Sequence, residues 1–168
     1  MNNYTRNKDM SFWDKRRVSA NCGSYALNVQ EWVVPVDDDE YDHDTREDMM
    51  YGIWEATEDE KEVADALAER DWVQIQKDFP FLRPVRHPNE VPDDVEVIAY
   101  RVGIAYDEST DYLDEDFHFR VRRNGIWYEK QGTMDPHECY CQSIEGEWFT
   151  PMSDLEYNSD TYYAAVDM

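Results

Sequence analysis

Cys22 stands in the run Asn21-Cys22-Gly23-Ser24-Tyr25-Ala26-Leu27, and His118 in Asp116-Phe117-His118-Phe119-Arg120, shortly before an Asn-Gly pair. A cysteine among small residues at a helix start, followed much later by a histidine on a strand, outlines a thiol–imidazole pair for nucleophilic catalysis. Only the thiolate attacks, and a free thiol has a pKa near ~8.5. A helix N-terminus and a neighbouring imidazolium both lower that value, which makes Cys22 the candidate nucleophile and His118 the candidate general base. Gly23 leaves room for a substrate and for backbone N–H groups to face an oxyanion, and the Asn21 side chain adds a further donor.

The imidazole needs a third group to fix its tautomer. Two alternating runs, Phe117 to Arg123 and Ile126 to Gln131, flank Asn124-Gly125 and predict a two-residue β-hairpin. Its register sets His118 opposite Gln131, Arg120 opposite Glu129 and Arg122 opposite Trp127 on the more polar face, while Phe117, Phe119 and Val121 turn to the core. Gln131 is therefore the first candidate for holding the imidazole, with Glu129 and Asp116 behind it.

The elements that must carry these groups are legible to different degrees. Asn21 is a good N-cap for a helix over Cys22 to Gln30. Thr57-Glu58-Asp59-Glu60 reads as a capping box that opens a helix from about Glu58 to Asp78, ended by Phe79-Pro80. Val95 to Ala105 is the best single strand run, Pro84 to Pro92 a proline-punctuated loop, and Asp107 to Asp116 an acidic loop. Met1 to Arg17 reads as a polar arm anchored by Phe12 and Trp13.

Two stretches invite a metal reading and are better explained without one. Asp37 to Asp48 gathers acids around Tyr41 and His43, but it lacks the glycine and the spaced ladder of an EF-hand loop, so it reads as a solvated loop. In His137-Glu138-Cys139-Tyr140-Cys141 the alternate residues share a strand face, yet structural zinc sites space their cysteines more widely, so the two cysteines read as core-facing. No metal or cofactor is expected.

The 168 residues carry 16 basic and 39 acidic side chains, a formal charge of −23. That charge repels phosphates and anionic membranes, so direct nucleic-acid binding is disfavoured. It suits attraction to a basic protein, including imitation of the phosphate track of a duplex. An aromatic content of 14% argues for a folded chain, read as one domain over residues 1–168. Three cysteines and the lack of an apolar leader or membrane span predict a cytoplasmic protein without a disulfide framework.

The strings Asn21-Cys22-Gly23-Ser24-Tyr25-Ala26, Asp116-Phe117-His118-Phe119-Arg120 and Gly125-Ile126-Trp127 together resemble the papain-like cysteine hydrolases, in the NlpC/P60 and CHAP branches and a bacterial and phage subgroup. The likeness rests on short motifs covering roughly a quarter of the chain. It implies an α+β fold in which an N-terminal helix carrying the cysteine packs on a small antiparallel sheet carrying the histidine. It also implies hydrolysis or acyl transfer at an amide bond of a protein or peptide, with Cys22 as nucleophile and His118 as base. The return strand, Trp127-Tyr128-Glu129-Lys130-Gln131-Gly132, departs from the pattern at the third member. The alternative expectation is an acidic binding or inhibitor protein, a nucleic-acid mimic or decoy for a basic partner, that performs no catalysis.

Overall fold

The computed structural model describes residues 21–29, 33, 35, 40–131, 135–139, 144–149 and 155–167. The Met1 to Arg17 arm and Cys141 lie outside them. Among the described residues the architecture is α+β: three α-helices and a six-stranded antiparallel sheet of order β1-β6-β2-β3-β4-β5. The helices are α1 (Cys22–Leu27), α2 (Glu40–Thr57) and α3 (Glu60–Asp78). The strands are β1 (Leu82–Val85), β2 (Val97–Asp107), β3 (Tyr112–Arg123), β4 (Ile126–Glu129), β5 (His137–Glu138) and β6 (Tyr162–Val166).

Strand alternation divides the interior in two. Ile98, Tyr100, Val102 and Ile104 of β2 and Phe119 and Val121 of β3 point into a core shared with Cys22 and Leu27 of α1 and with Val63, Leu67, Trp72 and Ile75 of α3. Val97 and Ala99 point to the other face, against Trp148 and Tyr157. We call these the helical face and the far face.

The predicted hairpin forms in the predicted register, with Val121 opposite Tyr128 and Arg122 opposite Trp127. Asn124 at φ 52° and Gly125 at φ 81° supply the two left-handed positions that a tight hairpin turn requires. The β2 and β3 strands extend further than their apolar runs suggest. Only residues 108–111 separate them, so most of the expected Asp107 to Asp116 loop is strand.

The helical layer differs from expectation in its first half. Glu40–Thr57 is a helix, and it covers residues 40–48 of the Asp37 to Asp48 stretch expected as a solvated loop, whose crowded acids offer no apolar periodicity. Its formation moves the next start signal. Asp59, not Thr57, caps α3 by accepting from the Lys61 amide at 2.9 Å, while the Thr57 hydroxyl bonds back to the Ile53 carbonyl at 2.8 Å as the last residue of α2. Leu82–Val85, whose last two residues fall in the stretch expected as a proline-punctuated loop, pairs with Tyr162–Val166, and together they extend the sheet at its β2 side.

Candidate functional site

The first turn of α1 is built as the sequence suggests, but its polar groups are used for tethering. Asn21 caps the helix by accepting from the Ser24 amide at 2.9 Å, and the same oxygen accepts from the Ser24 hydroxyl and the Val33 amide. Its Nδ2 donates to the Val33 carbonyl at 2.7 Å. The amide that was to serve as an oxyanion donor is thus clamped to a neighbouring segment. Gly23 is likewise a contact residue: a Cβ there would lie 2.8 Å from Val33 Cβ and 3.1 Å from the Phe119 ring. The missing side chain admits the sheet, not a substrate.

Cys22 is sealed in this contact, with 7% of its surface exposed. Burial pushes its thiol up to about 12, against the opposing pull of backbone groups of Phe119 and Gly23 and of the nearby Lys130 ammonium. Lys130, also buried, is in turn brought down to about 8 by desolvation. At neutral pH the sulfur is a thiol in the core and not an attacking thiolate.

His118 sits on the far face. Its neighbours Phe117 and Phe119 belong with the helical core that holds Cys22, so strand alternation turns the imidazole the opposite way, where its ring stacks on Tyr157 at 5.1 Å and meets Trp148 edge-on at 6.2 Å. The expected Cys22–His118 pair is therefore not assembled. The hairpin register puts His118 on the more polar side of the sheet, and α1 docks on the other side.

The partner of His118 is Glu129, at 2.8 Å from Nε2, in place of the first-choice Gln131. β4 ends at Glu129, and Gln131 lies two residues past it, buried. Glu129 also accepts from Arg120 Nε at 3.2 Å and lies 3.5 Å from His137 Nε2. Burial alone would raise the Glu129 pKa, but the hydrogen bond from His118 and the charge of Arg120 outweigh it and hold the carboxyl at about 2. Burial lowers the pKa of His118, so we describe the trio as neutral imidazole, carboxylate and guanidinium. Asp116 accepts from the Tyr157 hydroxyl at 2.7 Å and helps to close the layer over the imidazole.

Around that trio the far face is a cationic interior. The Arg101 and Arg120 guanidinium carbons lie 4.4 and 4.3 Å from the Trp148 ring, and Arg122 donates to the carbonyls of Pro88, Val91, Pro92 and Val95. On the helical side Arg46 pairs with Asp71, whose other oxygen accepts from the Tyr100 hydroxyl at 2.7 Å. Five basic side chains, Arg46, Arg101, Arg120, Arg122 and Lys130, are buried, against two acids, Asp71 and Glu129, among the described residues. The alternating Arg101, Arg120 and Arg122 were visible in the sequence. Their inward orientation was not, because it depends on segments distant in the chain, Trp148 for Arg101 and Arg120 and the carbonyls of residues 88–95 for Arg122.

Among the described residues no group of three His, Cys, Asp or Glu side chains is placed to hold a metal ion, and no helix is long and apolar enough to cross a membrane. Comparison with known proteins finds no matching family model, no matching curated protein and no matching solved structure.

Proposed function

We propose that this protein is an acidic binding protein that engages a basic partner protein, of the kind that handles nucleic acid, through charge and without catalysis. The observation that carries the reading is the sorting of charge. Among the described residues, Arg101 and Arg120 are drawn inside against the Trp148 ring, Arg122 onto backbone carbonyls and Arg46 onto Asp71, with Lys130 buried as well. Five buried cations against two buried acids leave the surface of these residues richer in carboxylates than their formal charge states. Such a surface steers a cationic partner and repels phosphates, as the charge of a nucleic-acid mimic does.

The thiol hydrolase expectation finds no comparable support. Its nucleophile is protonated and enclosed, and its base lies across the sheet. The reading keeps from the papain-like resemblance only the frame, a cysteine-first helix set on an antiparallel sheet, with the thiol used for packing.

The test is displacement of labelled duplex DNA from a basic DNA-binding protein, followed by anisotropy at two salt concentrations. The wild type and Cys22→Ala should displace the duplex equally, with apparent affinity falling by at least about tenfold from 50 to 200 mM salt, given the steep dependence of multi-charge contacts. Loss of displacement in Cys22→Ala with its fold intact, or no displacement at low salt, removes the proposal.

A further inference from the structure

α2 lies along the turn end of the β2–β3 hairpin. The Leu113 amide donates to the Tyr51 hydroxyl at 3.1 Å, the Trp54 and Tyr106 rings sit 4.5 Å apart, and the Tyr106 amide donates to Glu60 at 3.1 Å. These contacts bring two stretches of chain, residues 47–60 and 102–117, onto one end of the molecule. Neither stretch contains a lysine, arginine or histidine. Of the cations that flank these stretches, Arg46 is buried against Asp71 and Glu115, Arg101 lies over the Trp148 ring, and the exposed Lys61 is paired with Asp65 and Asp160.

The same end presents rings. Tyr112 is 53% exposed, and Tyr51, Trp54 and Tyr106 are half-buried. Exposed carboxylates surround them: Glu47, Glu55, Glu58, Glu108, Asp111 and Asp114. Tyrosine and tryptophan are the residues that anchor protein interfaces, and a carboxylate surface made only to keep a protein in solution has no need of them.

We propose that this aromatic, carboxylate-rimmed end is a docking surface for an arginine-rich segment of a partner protein. The inference rests on the binding reading above and adds to it a place and a side-chain preference. A guanidinium stacks on an aromatic face while its N–H fork pairs with a carboxylate, and the surface offers both at once. A second copy of this chain would bring like charge against like at −23 apiece, and a nucleic acid would bring phosphates against carboxylates.

The experiment titrates the full chain with a short oligo-arginine peptide and an oligo-lysine peptide of equal length, by calorimetry at low salt. Three variants accompany it: Tyr112→Ala; a neutralised tip, Glu108→Gln/Asp111→Asn/Asp114→Asn; and Glu90→Gln/Asp93→Asn/Asp94→Asn, a change of equal charge at the other end of β3. The proposal expects oligo-arginine to bind about tenfold tighter than oligo-lysine, and each tip variant to lose about tenfold while the remote variant loses less than about twofold. Equal binding of the two peptides, or equal losses at tip and remote end, overturns the docking surface and leaves the general acidic reading standing. Failure of both peptides to bind overturns that reading too. The neutralised tip, which keeps every side-chain shape, decides the matter if Tyr112→Ala fails to fold.

Discussion

Cys22 and His118 lie on opposite faces of one β-sheet: the sulfur packs under Phe119 in the helical core, and the imidazole is bonded to Glu129 beneath Trp148 and Tyr157. One residue of strand alternation separates the two environments. In a regular strand consecutive side chains turn to opposite sides, so with Phe119 packed in the core that holds Cys22, the His118 imidazole faces away from the thiol.

Alkylation reads out this burial directly. With its thiol pushed up to about 12 and closed from solvent, Cys22 should react with iodoacetamide at least about 100-fold more slowly than a free cysteine at neutral pH, and at the ordinary rate once unfolded. Cys139, which is only partly buried, should label before Cys22. Mass spectrometry of a short labelling pulse checks this, and preferential modification of native Cys22 would restore the nucleophile.

Glu129→Gln removes the one anion among His118, Arg120 and His137. Breaking a buried ionic cluster from one side leaves uncompensated charge, and the expected cost is about 3–5 kcal/mol in urea unfolding. A loss below about 1 kcal/mol would mean that the guanidinium finds water or another acceptor.

The pH dependence of stability follows from the same group. His118 has a native pKa below its unfolded value, so below about pH 6.5 the unfolded chain binds a proton that the native chain refuses. Stability should therefore fall as pH drops from 7 towards 5. Glu129, held at about 2 against 4.5, adds a loss in the same direction at lower pH. Titration of the His118 ring signals by NMR, with urea midpoints measured in parallel, would contradict this if the midpoint rose between pH 7 and 5.

Gly23→Ala sets two effects of opposite sign against each other. Alanine is the better helix former by about 1 kcal/mol. The added methyl, however, meets Val33 Cβ at 2.8 Å, an atom fixed to backbone that Asn21 holds from both sides. Overpacking should win, for a net loss of about 1–2 kcal/mol by thermal or urea unfolding. A stabilised variant would show that the segment around Val33 yields.

Trp148→Ala removes a buried ring that two guanidiniums face, and the expected loss is about 3–5 kcal/mol. Trp148→Phe should lose less, because it keeps a ring while giving up the indole N–H bond to the Ile144 carbonyl.

The sequence by itself determined what local rules govern. Asn124-Gly125 set the turn, the turn set the register, and the register set which of Phe119 and His118 faces the apolar side; Asn21 announced the start of α1. It did not announce α2, whose first half is a run of acids, whose apolar residues Met50, Ile53 and Trp54 are confined to its second half, and which is held along the hairpin by contacts such as Tyr51 to Leu113 and Arg46 to Glu115. Nor did it rank Glu129 above Gln131, because β4 stops at Glu129 and the carboxylate reaches the imidazole diagonally. Tertiary structure alone decided which face of the sheet α1 would cover, and with that whether cysteine and histidine would meet. Docking side is a property of two surfaces brought together from far apart in the chain, and neither Cys22 nor His118 carries it in its own neighbours.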